Sequence, residues 1–276
     1  MTMTANDFAG TAPIRRATSS WSVSPNSGFK ISGANGRVPL EQVDHSQFLV
    51  GAAFEFDHSA TLDDLVRRMV ADGTSESDAR AAVDDARTYK PSASEPTDLA
   101  SIPSFMRWFE NSYGRHTLAA IIHDRLIRDV PNSGALGSDA LADRFFRLMM
   151  REAGMPWLKR WIMWAAVALR SRWAAGGWRR VAIAAWILLA LTGITASITA
   201  VASAWFGSFA PASPSQLMAF AVILPVASAP LWGRQFAASM IAASAALWIL
   251  PAALFGLVGF GIYSGLESLA LRFGAT

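Results

Sequence analysis

One histidine and one aspartate stand where a helical chain can bring acid–base groups together. His123 lies near the end of one helical segment, and Asp143 lies near the beginning of the next. If these helices are antiparallel neighbours joined by a loop at 129–138, both residues lie roughly 6 to 8 Å from the loop. A carboxylate beside a histidine fixes the tautomer and stabilises the imidazolium, as in a general base. The spacing therefore predicts a His123–Asp143 dyad.

Two further aspartates make a cation site beside this dyad a second prediction. Asp124 follows His123 and points about 100° away around the helix. Carboxylate oxygens suit a hard cation such as calcium or magnesium, and Asp98, in a loop, is placed to join the same ion. Three structural interpretations stay open: a buried His123 without chemistry, an Asp143–Arg147 pair at i,i+4, and a turn closed by Asp98.

The segments before the dyad predict an α+β fold. Short alternating runs at 29–31, 47–50 and 53–56 indicate a small antiparallel sheet. Apolar residues at three- and four-residue steps between 57 and 87 indicate two short helices, the second capped by Ser75.

The dyad itself falls in a mainly helical region. We expect a helix capped by Ser101, a second from about 115 to 128, and a third from Ser138 or Asp139 to Gly154. Residues 1–27 are rich in Ser, Thr, Ala and Pro and predict a disordered tail.

The C-terminal third of the chain is typical of a membrane protein. Beyond Arg180 the charged residues are Arg234, Glu267 and Arg272. Three apolar segments, at 181–205, 216–232 and 236–263, predict an α-helical membrane domain of about three spans. They follow a belt of Trp, Lys and Arg at 155–180, which indicates a helix at an anionic leaflet.

The distribution of charged residues also predicts how the chain is oriented in the membrane, and the composition excludes several classes of protein. Basic residues before the first span and at Arg234 place the soluble domain in the cytoplasm of a multi-pass cell-membrane protein. The formal net charge is only +3 and its basic residues gather beside the apolar region, so we expect membrane lipid as a partner and no nucleic acid. The chain has no cysteine, which excludes thiolate chemistry. The first residues of the chain lack the pattern of a signal peptide. No charged residue lies in the middle of a predicted span, and this absence disfavours a transporter.

Small residues in the last apolar segment allow close helix packing. Ala238, Ala242 and Ala246 recur at four-residue spacing, as do Gly261 and Gly265. Such faces pack within a chain or between chains, so a homo-oligomer is one interpretation of this pattern.

Several motifs together resemble the bacterial and phage family called domain of unknown function 1353. They are the run Thr97-Asp98-Leu99-Ala100-Ser101-Ile102-Pro103, then Tyr113-Gly114-Arg115, His123-Asp124, and Ala142-Asp143 with Phe146. The resemblance covers roughly 29–172 and treats the helical hairpin at 57–92 as an insertion. It implies a common fold and no settled activity.

A second resemblance implies a reaction. Ala119-Ala120-x-x-His123-Asp124 followed by Ala142-Asp143-x-x-Phe146 is similar to the active-site helices of secreted and parvoviral phospholipases of the A-two type. It implies that His123 activates water, Asp143 orients it, and Asp124 holds a calcium ion that polarises the ester. Two features depart from that pattern: Ile127 replaces a tyrosine, and no glycine-rich calcium loop precedes the helix, so Asp98 would have to substitute.

These observations divide the chain into a tail at 1–27, a soluble domain at 28–174 and a transmembrane domain at 175–276. The leading hypothesis is a membrane-anchored cytoplasmic domain that hydrolyses phospholipid with calcium and the His–Asp dyad. The alternative is a non-enzymatic, oligomeric membrane effector, phage-related or anti-phage, in which the cluster is structural. A dyad that solvent reaches favours the enzyme, and a sealed one favours the alternative.

Overall fold

The computed structural model of the chain describes residues 18–22, 27–32, 37–44, 47–91, 96–97, 114–127, 135–207 and 212–272. Its strands are β1 Thr18–Ser22, β2 Phe29–Ile31, β3 Arg37–Asp44, β4 Gln47–Val50, β5 Phe54–Phe56 and β6 Thr88–Tyr89. Its α-helices are α1 Ser59–Ala71, α2 Glu76–Ala86, α3 Thr117–Ile127, α4 Asp139–Glu152, α5 Trp157–Ala174, α6 Gly177–Phe206, α7 Pro214–Ala227 and α8 Phe236–Arg272. A 3₁₀ segment, Ala229–Gln235, joins α7 to α8.

The strands form two small antiparallel sheets, in the orders β1-β3-β4 and β2-β5-β6. A mainly helical chain with antiparallel strands near its N-terminus is thereby confirmed. The predicted disordered tail is wrong at Thr18–Ser22, because pairing with Arg37–Glu41 satisfies its backbone groups. The sequence interpretation also missed β3, where the exposed Pro39, a residue that cannot donate a backbone hydrogen bond to a sheet, lies between the buried Val38 and Leu40.

The hairpin of α1 and α2 was predicted correctly and braces the dyad region. Ser75 caps α2, since its hydroxyl accepts a hydrogen bond from the backbone N–H of Asp78 at 3.2 Å. On α1, Asp64 accepts two hydrogen bonds from the Arg144 guanidinium of α4, at 2.8 and 3.1 Å. Both bonds end on the same oxygen, Oδ2 of Asp64, and they fix α1 against the helix that supplies Asp143.

One apolar core joins the second sheet to α4. Phe56 is fully buried and meets Phe145 edge to face, with ring centroids 5.6 Å apart. Phe54 stacks on Tyr89 at 5.0 Å. Each such ring stabilises the fold by about 1.5 to 3 kcal/mol through burial, and Phe145 thereby sets which face of α4 turns inward.

The basic, tryptophan-rich belt is two helices with a bend between them. Gly176 has φ +68°, a left-handed conformation that favours glycine, and it ends α5 so that α6 starts in a new direction. Trp164 and Ala168 of α5 are buried, and α5 packs against both α4 and α8. Trp157, Trp173 and Trp178 remain exposed by 62%, 45% and 75%. One face of α5 therefore packs into the domain, while Trp157 and Trp173 of α5 and Trp178 of α6 stay exposed.

Two helical stretches within the described residues are long and apolar enough to cross a membrane. They are Gly177–Phe206, and Pro214–Arg272 taken together, with mean hydropathies of 2.2 and 2.1. The span expected at 216–232 is not clearly separate, because α7 has 14 residues, about 21 Å, before the 3₁₀ segment begins. A bilayer core is about 30 Å thick, so length and composition suggest a membrane protein without fixing three spans.

Close packing of these helices extends along α6 as far as Ser203 and along the first part of α8 as far as Ala253. Gly193 lies against α7, where an added Cβ would be 2.9 Å from the backbone oxygen of Ala221. Trp186 of α6 meets Trp232 of the 3₁₀ segment at 5.1 Å. Beyond Phe255, by contrast, nearly every α8 residue with a described side chain is exposed.

Candidate functional site

Two packed helices, α3 and α4, bring the predicted dyad together. Nε2 of His123 lies 2.8 Å from Oδ1 of Asp143. Ser138 fixes the start of α4, because its hydroxyl accepts a hydrogen bond from the backbone N–H of Leu141 at 3.3 Å. The pairing expected from the helical spacing is therefore present, and its catalytic role stays a prediction.

Asp143 accepts hydrogen bonds from side chains in three different parts of the fold. Besides His123, it accepts a hydrogen bond from the Ser171 hydroxyl of α5 at 3.0 Å and from Nε2 of Gln235 at 3.4 Å. Gln235 ends the 3₁₀ segment between the apolar helices. The alternative pairing with Arg147 is not seen, because that guanidinium instead lies 4.2 Å from the ring centre of Trp161.

The dyad is almost sealed from solvent. The side chain of Asp143 is 0% exposed and that of His123 is 6% exposed. Phe146, one turn along α4, covers the imidazole with ring centroids 4.9 Å apart. Since a buried carboxylate needs donors, the three hydrogen bonds to Asp143 account for its stability inside the protein.

The hydrogen bond also sets the imidazole tautomer. With Nε2 donating to the carboxylate, the neutral ring keeps an unprotonated lone pair on Nδ1. Within the described part of the chain, no hydrogen bond to Nδ1 is present. Chemically, that arrangement is a base that could accept a proton from a small molecule able to reach it.

The predicted calcium ligands are only partly described. Asp124 is half-buried on α3, and Asp98 lies outside the described residues. No group of three or more His, Asp or Glu side chains suited to a metal ion occurs among the residues that the structure describes. Calcium binding by Asp124 and Asp98 therefore stays a prediction.

A large cavity lies next to the dyad, between the soluble domain and the apolar helices. Its volume is about 1070 Å³, and Ser171 and Gln235, two partners of Asp143, form part of its wall. Six arginines and two aspartates also line it: Arg68, Asp72, Asp139, Arg144, Arg147, Arg172, Arg179 and Arg234. We call this space the arginine cavity.

Sequence reasoning missed both the cavity and two partners of the dyad. One signal was available for Ser171, which follows the buried Trp164 and Ala168 at seven and three residues on the same face of α5. Gln235 carried a weaker signal, as a polar residue in the tight return between apolar segments. Neither signal identifies a partner, since both contacts join residues far apart in sequence.

One family model matches part of the chain. Residues 77–167 match the family model described as "Protein of unknown function (DUF1353)". This match supports the family resemblance read from the motifs, and it contains His123 and Asp143. It begins inside α2, so it includes the second helix of the hairpin that the resemblance treated as an insertion.

No curated protein and no solved structure matches the chain. The likeness to phospholipases therefore rests only on the residues around the dyad.

Proposed function

We propose that this chain is a membrane-anchored, non-enzymatic effector whose cytoplasmic domain is locked to its apolar helices. The observation that carries the proposal is Asp143, a buried carboxylate that accepts hydrogen bonds from His123, Ser171 and Gln235. These donors come from α3, from α5 and from the turn between apolar helices. A movement of the helices in the bilayer would thus be transmitted directly to the domain.

The low exposure of the dyad favours this function over catalysis. A phospholipid ester is a bulky substrate, and it must lie against a water molecule that is within about 3 Å of the base. His123 is 5% exposed, and Phe146 covers its ring. An effector requires no such access, because its function depends on the fixed position of the domain.

The membrane topology that fits these contacts has three crossings. The start of α6 and the 3₁₀ segment lie on the same side, since Arg172 donates a hydrogen bond to the Leu231 carbonyl at 3.1 Å and Trp186 meets Trp232. If α6 leaves the domain across the bilayer, α7 and the 3₁₀ segment must return before α8 crosses again. The basic residues at this end support a cytoplasmic domain in this proposal.

The exposed part of α8 supports self-association. An added Cβ at Gly261 or Gly265 would meet nothing within 4 Å, whereas Ala238 is fully buried inside the chain. Small residues on a free helix face allow two helices to approach closely in lipid. We therefore propose a homo-oligomer, which cross-linking in mild detergent tests and a strict monomer would contradict.

Hydrogen exchange of the full chain in nanodiscs tests the coupling directly. We expect Gln235→Leu to accelerate amide exchange in α3 and α4, because Asp143 loses its contact with the apolar helices. Arg170→Leu is the matched control, since this residue is exposed on α5 and does not line the cavity. Equal exchange in both variants would show that the domain and the helices move independently.

A second candidate function is calcium-assisted phospholipid hydrolysis. It is favoured by the tautomer of His123, whose Nδ1 lone pair is free of hydrogen bonds to described residues while Nε2 is held by Asp143. In this hypothesis Asp124 and Asp98 hold the ion. Its test is calcium-dependent release of fatty acid from vesicles by the full chain, and unchanged release by His123→Ala would exclude it.

A further inference from the structure

The arginine cavity carries more positive charge than its own carboxylates can neutralise. Six arginines face two aspartates across about 1070 Å³. Arg144 is paired with Asp64 at 2.8 Å, and Arg234 with Asp72 at 3.3 Å. The remaining charge is concentrated on the side formed by α4, α5 and the beginning of α6.

Arg147 and Arg172 line the cavity and have no ion pair with a carboxylate among the described residues. Nε of each is buried and has no hydrogen-bond partner among the described residues. Burial, reinforced by Arg144, Arg160 and Arg151, lowers the pKa of Arg147 to about 10. Burial, followed by repulsion from Arg179, also lowers the pKa of Arg172. A half-buried guanidinium without a carboxylate partner is costly, so both side chains favour an anionic ligand beside them.

Two tryptophan rings hold the guanidinium group of Arg147 in place. The Arg147 carbon Cζ lies 4.2 Å from the ring centre of Trp161 and 5.2 Å from that of Trp164. Stacking on tryptophan orients the planar fork of an arginine while leaving its edge N–H groups available. Such a fork matches the oxygens of a phosphate group in a bidentate arrangement.

The position of the cavity indicates where the anion comes from. Its wall includes the exposed Trp178 at the start of α6 and Leu231 and Gly233 of the 3₁₀ segment. These elements begin and join the apolar helices, so the opening lies at the level expected for lipid head groups. Interfacial tryptophans and arginines at this level typically bind anionic lipids.

We infer that the arginine cavity binds the phosphate of an anionic ligand, and that an anionic phospholipid head group is its source. This inference goes beyond the proposed function, since the cavity could bind phosphate whether or not the dyad couples the domain to the helices. Ser171 and Gln235 belong to both the cavity wall and the Asp143 cluster. A bound head group would therefore lie against the coupling cluster.

Calorimetric titration of the full chain in a neutral detergent tests the inference. The probes are dihexanoyl phosphatidylglycerol, the zwitterionic dihexanoyl phosphatidylcholine, and inorganic phosphate. We expect Arg147→Gln and Arg172→Gln each to weaken phosphatidylglycerol binding by about tenfold or more, the effect of losing one charge-assisted contact. Arg170→Gln, which removes the same charge from the exposed face of α5, should change affinity by less than about twofold.

Three results separate the possibilities. Arginine-dependent binding of phosphatidylglycerol but not of inorganic phosphate supports a lipid head group. Arginine-dependent binding of inorganic phosphate with equal affinity supports a phosphate site but assigns it to a soluble ligand. No binding, or equal weakening by Arg147→Gln and Arg170→Gln, overturns the inference.

Folding of the variants has its own control. Arg147→Lys keeps the charge and the apolar stem but loses the planar fork, so it should retain the apparent Tm and still bind phosphatidylglycerol more weakly. Arg179→Gln changes an exposed residue that lines the cavity, and it should weaken binding without affecting the fold. Because Gln235→Leu leaves these arginines intact, failure of the coupling proposal is distinguishable from failure of the phosphate site.

Discussion

Replacing Asp143 by alanine removes one acceptor from three buried donors at once. His123, Ser171 and Gln235 are 5%, 6% and 8% exposed, so water cannot easily replace the carboxylate. An unsatisfied buried donor costs about 1 to 3 kcal/mol, and the three together should cost about 3 to 9 kcal/mol. For a domain of this size the apparent Tm should fall by roughly 10 to 20 °C.

Thermal unfolding in detergent, followed by near-ultraviolet circular dichroism, measures this change. Asp63→Ala is the control, because this aspartate is exposed on α1. If the dyad is structural, replacing both partners by leucine should recover part of the loss, since removal of a buried pair is far less costly than removal of one member. A double-mutant cycle should then give a coupling free energy above about 1 kcal/mol. An Asp143→Ala variant as stable as Asp63→Ala would refute the reasoning.

Three further predictions concern the surroundings of the site. Gly193→Ala places a Cβ 2.9 Å from the Ala221 carbonyl oxygen, so it should destabilise the apolar helices by about 1 to 3 kcal/mol. The control is Gly256→Ala, whose added Cβ meets nothing within 4 Å and should leave the apparent Tm unchanged. Ser138→Ala removes the cap of α4 and should cost about 1 kcal/mol in thermal unfolding, whereas Ser138→Asp should keep it. Because the pKa of Arg147 is lowered to about 10, the folded chain releases this proton first, so the free energy of unfolding should rise with pH above about 10. Arg147→Met should lack that rise in denaturant titrations, and an identical pH profile would contradict it.

The helices around the site were predictable because their signals are local. Apolar spacing placed α1, α2, α3 and α4 within a few residues of their observed bounds. Caps were equally readable, since Ser75 and Ser138 act on backbone groups three residues away. The strands were harder to predict from the sequence. The composition of β1 is typical of a disordered tail, because its stability comes from pairing with β3.

The chemistry of the dyad was only half predictable. Helical rise put His123 and Asp143 at one level, and the structure joins them at 2.8 Å. Exposure could not be predicted, because it depends on Ser171 and Gln235, which lie 28 and 92 residues from Asp143. The arginine cavity was likewise invisible, since its arginines span positions 68 to 234.

By itself, the amino-acid sequence determined where the helices around the dyad begin and end, which segments are apolar enough for a bilayer, and that an imidazole and a carboxylate could meet. Periodicity and capping encode those properties within a few residues. Tertiary structure alone decided that the carboxylate is closed in by α5 and the 3₁₀ segment, and that unpaired arginines surround one cavity. A helical pattern predicts that one face of a helix is buried, but it does not predict which distant segment covers that face. The covering segment sets the solvent exposure of the dyad, and this exposure decides whether the dyad can react or is structural.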